Sequence, residues 1–238
     1  MKILAFDSTA RAASVAVCEN ERLLGLYNID NGLTQSELLL PMAEELLKSL
    51  KLTFSDIGLF ACSTGPGSFT GVRIGAALVK GLAFGRNIPC ASISTLEELA
   101  ENLFPLVGIL VSVMDARRGQ VYTATFRCDG ESLTRLSPDR AIGIQELARE
   151  LAEYGDEAIY LSGDGYELTA RELSKCGVSI NKTPELLISE NAYSVAKAAY
   201  RKHLRGEAVT DSEISATYLR LPQAERERLE RINTEKKD

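Results

Sequence analysis

Histidine is almost missing from this sequence, and tryptophan is missing altogether. His203 is the one histidine among 238 residues. Metalloproteases of the H-E-x-x-H type and other two-histidine metal sites need two imidazoles, so these classes are excluded. The sequence also has no G-x-S-x-G nucleophile elbow, and no cysteine has an obvious base neighbour. His203 lies on an amphipathic segment, where we expect an exposed or helix-capping side chain rather than a catalytic one.

Signals for disulfides and for membrane insertion are lacking as well. The five cysteines are odd in number, widely spaced and without a C-x-x-C pair. This pattern favours free thiols in a reducing compartment over a disulfide framework or a zinc knuckle. No apolar run approaches the roughly 20 residues of a membrane helix, and the run at 3–6 is too short for a signal-peptide core. We therefore expect a cytoplasmic protein without membrane contact.

An excess of positive charge is the third missing feature. Lys and Arg number 27 against 33 Asp and Glu, which gives a net charge of −6. No third of the chain is basic, so a general electrostatic grip on the phosphates of a nucleic acid is disfavoured. If RNA is involved, we expect something else to hold it.

Short apolar runs alternate with stretches of helical periodicity, a pattern that predicts an α/β fold with a mixed sheet. The predicted strands are 2–6, 14–18, 23–29, 57–63, 89–93, 106–114, 120–127 and 158–162. The predicted helices are 36–50, 70–84, 95–104, 144–153 and 192–204.

Pro105 divides this series into two predicted lobes, 1–104 and 105–222. The order of apolar run, aspartate, turn and alternating strand that begins the first lobe recurs at the start of the second. Such a recurrence is a hint of internal duplication. Residues 223–238 form a tail of alternating charge, which we interpret as a solvated helix or a frayed end.

Two predicted helices carry more apolar surface than one sheet can cover. The apolar residues of helix 36–50 spread over about 200°, against the roughly 100° stripe of an ordinary surface helix. On helix 70–85, Arg73 and Lys80 form the one charged stripe. Either both helices are buried in an ordinary core, or they supply a protein–protein face, in which case the protein is not monomeric. The residues predicted for that face are Leu38, Leu39, Met42, Leu46, Gly71, Ile74, Gly75, Leu78 and Leu82.

A glycine-rich loop, Gly65–Gly71, joins a predicted strand to a predicted helix, where backbone N–H groups and the helix dipole can receive a phosphate. It has neither the Walker A nor the Rossmann spacing. The alternative is a tight structural turn with Ser68 or Thr70 as helix cap. Asp7 could likewise serve a phosphate or metal-bound water, or close an Asx turn. The candidates for a phosphate site are Asp7, Ser8, Thr9, Gly65, Gly67, Ser68 and Asp115.

Together these segments resemble a known family. The resemblance rests on Leu4–Thr9, Ser36–Pro41, Gly65–Gly75, Lys80–Ala83, Asp115–Tyr122 and Tyr218–Arg220. The chain resembles the TsaB family of bacterial tRNA threonylcarbamoyladenosine synthesis, within the superfamily of acetate and sugar kinases, heat-shock chaperones and actin. The resemblance implies a two-lobed α/β fold with duplicated mixed sheets flanked by helices, in which the phosphate site is degenerate.

The resemblance also implies a subunit without catalysis. The catalytic paralogue of the family carries an N-H-x-x-x-H segment whose two histidines hold a metal. Here Thr95 and Leu99 stand at those two positions. Threonine is a poor ligand and leucine has no donor atom, so no metal is expected on this chain.

By the same resemblance, helices 36–50 and 70–85 bind the catalytic paralogue, and the chain pairs with itself when alone. A small ATPase completes the assembly. ATP and metal are then expected on the partner subunits, tRNA is reached only through the complex, and the modified adenosine lies beside the anticodon in tRNAs that read codons beginning with A. The alternative function is an ATP-dependent phosphotransferase of the same superfamily, with Asp7 and Asp115 around Mg²⁺ and Gly65–Gly71 at the phosphates.

Overall fold

The computed structural model describes residues 1–220, so the predicted tail 223–238 lies outside the described residues. The strands are β1 Lys2–Asp7, β2 Ala13–Glu19, β3 Arg22–Ile29, β4 Leu59–Ser63, β5 Cys90–Ile93, β6 Gly108–Arg117, β7 Gln120–Cys128, β8 Leu133–Arg135, β9 Arg140–Gly143 and β10 Ile159–Ser162. The helices are α1 Gln35–Ser49, α2 Phe69–Ala83, α3 Thr95–Leu103, α4 Ile144–Ala152, α5 Tyr166–Lys175 and α6 Ala192–Leu204. No helix within residues 1–220 is long and apolar enough to cross a lipid bilayer.

The strands form two mixed sheets of the same plan. In the first sheet the order is β3-β2-β1-β4-β5, and in the second it is β8-β7-β6-β10, with β9 also paired to β7. β1 is antiparallel to β2 and parallel to β4, just as β6 is antiparallel to β7 and parallel to β10. The predicted α/β fold class with duplicated mixed sheets is therefore confirmed.

Side chains on β1 alternate between two helical layers, as the two-residue period of a strand requires. Leu4 and Phe6 pack with residues of α1 and α2 on one face of the first sheet. Ile3 and Ala5 pack with α6 on the other face. Because both faces are covered, the strand is apolar along its whole length rather than alternating.

Two helices cross the division between the predicted lobes. α3 precedes Pro105 in the chain, yet Leu96 and Leu99 on it pack with Leu110 and Phe126 of the second sheet. α6 follows the second sheet in the chain, yet its small residues pack on the first sheet. Strands β1–β5 precede Pro105 and β6–β10 follow it, whereas α3 and α6 each pack on the sheet formed by the other part of the chain.

Candidate functional site

The glycine-rich loop packs tightly against the turn that follows β1. The Ser68 N–H donates to the Thr9 carbonyl at 2.7 Å, and the Ser8 hydroxyl donates to the Gly71 carbonyl at 2.8 Å. A Cβ on Gly67 would lie 2.6 Å from Thr9 O, and one on Gly71 would lie 1.8 Å from Ser8 O. These glycines are therefore required by the close approach of two backbone segments.

The side chain of the N-cap residue satisfies one N–H group in the first turn of α2. Ser68 is the N-cap, and its hydroxyl accepts from the Gly71 N–H at 3.3 Å. The Val72 N–H donates to the Ser68 carbonyl at 2.9 Å. This is the capped turn predicted as the alternative to a phosphate cradle, since a phosphate would compete with the Ser68 hydroxyl for the Gly71 N–H.

A cleft of about 660 Å³ opens beside the loop, between the two lobes. Of the residues predicted for a phosphate site, Thr9, Gly67, Ser68 and Asp115 line this cleft. The other three, Asp7, Ser8 and Gly65, are buried and are not among its lining residues. The cleft therefore brings together only four of the seven residues predicted for a phosphate site.

Three carboxylates line the cleft: Asp30, Asp115 and Asp164. Asp115 is turned toward its own hairpin, where its Oδ1 accepts from the Arg117 N–H at 2.7 Å and its Oδ2 from the Arg117 guanidinium at 3.1 Å. Asp164 Oδ1 accepts from the Asp115 N–H at 2.9 Å. Carboxylates in a cleft repel phosphate, and the two arginines that line this cleft are each paired with one of them, Arg11 with Asp30 and Arg117 with Asp115.

Asp7 closes an Asx turn, which was one of its two predicted roles. Its Oδ1 accepts from the Thr9 hydroxyl at 2.7 Å and from the Thr9 N–H at 3.2 Å. The side chain is buried, and burial raises its pKa from 3.8 to about 6. The carboxylate therefore stabilises the turn beside the loop instead of facing the cleft.

Two further buried acids lie near Asp7 and were not predicted. Glu98 on α3 accepts from the Ser63 hydroxyl on β4 and from the Asn191 N–H at 2.9 Å, ahead of α6. Burial, and next the negative charge of Asp7, raise the pKa of Glu98 well above its ordinary value. Burial likewise raises the pKa of Glu190 to about 8. Glu97, the neighbour of Glu98, is partly exposed, so nothing in a single sequence distinguishes the two.

The positions that the resemblance assigns to metal ligands do not fit a metal. Leu99 is fully buried and belongs to the apolar core beneath the second sheet. Thr95 is also buried, and its N–H donates to the Gly65 carbonyl at 3.0 Å. Within residues 1–220, no group of three or more His, Cys, Asp or Glu side chains is arranged to hold a metal ion.

The structure corrects part of the predicted partner face on α1 and α2. Leu39, Met42 and Leu46 are buried in the core of the first lobe, so they are not available at the surface. Gly71 faces the backbone of Ser8, and a Cβ on Gly75 would lie 2.8 Å from the Ser8 hydroxyl oxygen. Both glycines therefore contact Ser8 of the same chain, Gly71 through the Ser8 backbone and Gly75 through the Ser8 hydroxyl.

The other predicted face residues remain at the surface, where they are half-buried: Leu38, Ile74, Leu78 and Leu82. On α2, the half-buried residues Ile74, Leu78 and Leu82 lie beside two exposed positions. These are Ala77 and Gly81, which are one helical turn apart. A Cβ on Gly81 would have nothing within 4 Å. We call the surface formed by Ile74, Ala77, Leu78, Gly81 and Leu82 the α2 strip.

Known proteins resemble this chain over most of its length. The TsaD family model, described as tRNA N6-adenosine threonylcarbamoyltransferase, matches residues 34–228. A Bacillus subtilis (strain 168) protein, "tRNA threonylcarbamoyladenosine biosynthesis protein TsaB", is 31% identical over 69% of this chain and 72% of its own length. The protein of the same name from Escherichia coli (strain K12) is 29% identical over 92% of this chain and 95% of its own length.

The structure of YeaZ from Pseudomonas aeruginosa has a TM-score of 0.75 with this chain, at 24% identity, and covers 92% of this chain and 99% of its own. The fold and the site thus define a two-lobed α/β protein of the YeaZ type, whose glycine-rich loop is packed against the turn after its own first strand. Within that class, the chain belongs to the TsaB family.

Proposed function

We propose that this chain takes part in threonylcarbamoyladenosine biosynthesis on tRNA, the process for which its bacterial relatives are named. Its role is that of a non-catalytic scaffold in the cytoplasm. A catalytic paralogue of the TsaD type transfers the threonylcarbamoyl group from its adenylate to the adenosine beside the anticodon, in tRNAs that read codons beginning with A. A small ATPase completes the assembly, and ATP and metal belong to these partners.

The chemistry of the cleft supports a role without catalysis. Leu99 and Thr95 offer no metal site, and the Gly71 N–H is already bonded to the hydroxyl of the N-cap residue Ser68. The carboxylates that line the cleft disfavour a polyphosphate. The same three features argue against the alternative of an ATP-dependent phosphotransferase.

The α2 strip is the observation that carries the scaffold role. Small side chains at Ala77 and Gly81 leave the helix backbone open to a close neighbour, and half-buried Ile74, Leu78 and Leu82 lie beside them. An apolar helix flank of this kind is stabilised when a second helix covers it. We propose that a helix of the catalytic paralogue does so, and that a second copy of the chain does so when the paralogue is absent.

Reconstituted tRNA modification tests the proposal. The wild-type chain, the paralogue and the small ATPase together should modify tRNA, and omission of the chain should abolish modification. Asp115→Asn should leave the rate within about twofold, because a scaffold needs no carboxylate in the cleft. Gly81→Arg should abolish modification through loss of the complex. A folded Asp115→Asn protein that assembles normally but is at least tenfold slower would contradict the non-catalytic role.

A further inference from the structure

A second opening lies between the two lobes, next to the cleft, and has a volume of about 480 Å³. Its lining comes from the segment 10–12 and the end of β3 in the first lobe, and from the start of α5 and the segment 188–190 in the second. Asp30 and Asp164 line both this opening and the cleft, so the two are continuous. None of its described lining residues belongs to α2, so it is distinct from the α2 strip.

Negative charge dominates this second opening. Its lining includes one cationic side chain, that of Arg11, and four carboxyl groups, those of Asp30, Asp164, Glu167 and Glu190. We call the surface formed by these four acids the acidic pocket. Arg11 is paired with Asp30 at 3.4 Å, but 87% of its side chain is exposed, and so exposed an ion pair is weak. Within residues 1–220, the other three carboxyl groups have no Lys, Arg or His nitrogen within 4 Å.

Glu190 is the acid of this pocket that most clearly lacks a partner. It is 5% exposed, and its Oε1 accepts no hydrogen bond from residues 1–220. The charged groups that face it are Asp7 on β1, Glu98 on α3 and Asp164 in the turn after β10, and all three are acids. An ionised carboxylate in this position requires a cation that also donates a hydrogen bond. Glu190 therefore points to a positively charged ligand in the pocket.

The spacing of the acids favours an organic cation over a metal ion. A bound Mg²⁺ or Ca²⁺ draws its ligands to within about 2.0–2.6 Å of one point. Within residues 1–220, no group of three or more such side chains is arranged in that way. Ammonium groups on a flexible carbon chain can instead reach carboxylates that lie apart around the cavity. The ring of Tyr166, which also lines the pocket, offers such a chain a cation–π contact.

We propose that the acidic pocket binds a linear aliphatic polyamine, with its ammonium groups at the carboxylates of Asp164, Glu167 and Glu190. A linear chain is favoured because the acidic surface is elongated. It continues through Asp30 and Asp164 into the cleft, where Asp115 adds a further carboxylate. The same carboxylates that repel phosphate from the cleft attract a polyamine. The inference does not depend on the proposed function, because it involves no residue of the α2 strip.

Isothermal titration of the full chain with spermidine, at about 150 mM salt, tests the inference. Wild type should bind with a Kd of about 100 µM or tighter. Asp164→Asn, Glu167→Gln and Glu190→Gln should each weaken binding about tenfold, the loss expected for one charge-assisted hydrogen bond. Arg11→Ala should tighten binding about threefold, because it removes the cation that competes for Asp30.

Proton release on binding tests whether the ligand reaches Glu190. Burial, and next the negative charges of Asp7 and Asp164, raise the pKa of Glu190 to about 8, so this carboxyl is mostly protonated at pH 7. A bound ammonium group lowers that pKa, and the proton leaves. Titrations at pH 7 in two buffers of different ionisation enthalpy should therefore show the release of about 0.5–1 proton per spermidine. Glu190→Gln should release none.

Glu146→Gln is the matched control, because Glu146 is an exposed carboxyl on α4 and is not among the pocket's lining residues. It should leave affinity and proton release unchanged. Circular dichroism spectra that match wild type establish that each variant is folded, and Arg11→Ala changes only an exposed side chain.

Four results would each overturn the inference. The first is the absence of saturable binding by wild type up to about 1 mM spermidine. The second is Mg²⁺ binding as tightly as spermidine, because the pocket would then attract any cation. The third is folded variants of the three acids that bind as Glu146→Gln does. The fourth is Arg11→Ala binding no more tightly than wild type.

Discussion

Ser8 and Gly71 contact each other so closely that no side chain fits between them. The Ser8 hydroxyl donates to the Gly71 carbonyl at 2.8 Å, and a Cβ on Gly71 would lie 1.8 Å from the Ser8 carbonyl oxygen. The turn after β1 and the first turn of α2 are therefore one packed unit. A motif with the appearance of a phosphate loop serves here to bring two backbone segments together.

Gly71→Ala should therefore lower the free energy of unfolding by about 3 kcal/mol, because the backbone of Ser8 must move to admit the methyl group. Urea denaturation followed by circular dichroism measures the change. Gly81→Ala is the control on the same helix, where the new Cβ meets nothing. It should raise the free energy of unfolding by about 0.5–1 kcal/mol through helix propensity. Equal stability of the two variants would contradict this role of Gly71.

The buried acids make stability depend on pH with a defined sign. Burial raises the pKa of Asp7 from 3.8 to about 6 and that of Glu190 from 4.5 to about 8. As the pH rises, the unfolded chain loses these protons first, so the folded state is progressively disfavoured until the pH exceeds the folded pKa. The contribution of these two groups to the free energy of unfolding should therefore fall between about pH 4 and pH 8.

The free energy of unfolding of Glu190→Gln should no longer decrease up to about pH 8, because the Glu190 carboxyl is absent. Asp7→Asn should remove the decrease that ends near pH 6. For Asp7 the difference is on the order of 3 kcal/mol. Urea midpoints measured from about pH 4 to about pH 9 check the prediction. Glu185→Gln, an exposed carboxyl five residues from Glu190, should follow wild type. A Glu190→Gln profile as steep as wild type would refute the assignment.

Restoring a histidine at the family's ligand position should not restore a metal site. Leu99 is fully buried in the apolar core of the second sheet. Leu99→His should therefore lower the free energy of unfolding by about 3 kcal/mol. The variant loses the apolar contacts of the leucine and buries imidazole nitrogens in a core that offers them no hydrogen-bond partner. Thermal denaturation with and without Zn²⁺ measures both effects. A rise in melting temperature of several degrees with Zn²⁺ would show that the site still fits a metal.

The sequence predicts the fold where periodicity is strong and fails where elements are short. Helix α6 is predicted at 192–204 and found at Ala192–Leu204. α5 is missed because six of its ten residues are charged residues, serine or threonine, which leaves only a narrow apolar stripe of Tyr166, Ala170 and Leu173. β8 and β9 have three and four residues, too few for a pattern to emerge. The repeated order of elements in the two lobes could have indicated α5. In the first lobe α2 follows β4, and in the second lobe α5 follows β10, the strand that corresponds to β4.

The partner face is predicted only in part, for a physical reason. A helix that is apolar on most sides does not reveal which side its own sheet covers. Leu39 and Leu78 look alike in the sequence, yet one is in the core and the other is half-buried at the surface. Glu98 is buried because it accepts hydrogen bonds from Ser63 and Asn191, which lie far from it in the sequence. No local sequence pattern predicts these contacts.

The central claim is that the α2 strip binds the catalytic paralogue. Ala77→Arg places a long charged side chain on the strip at a position already exposed within the chain, so folding should be unaffected. Ala152→Arg makes the same change at the exposed end of α4 and is the matched control.

Isothermal titration of the paralogue with wild type, Ala77→Arg and Ala152→Arg is the most direct test. We expect wild type and Ala152→Arg to bind alike and Ala77→Arg to bind at least a hundredfold more weakly, because the arginine prevents close packing of the helices. Equal affinity of all three would contradict the account and place the interface elsewhere on the molecule.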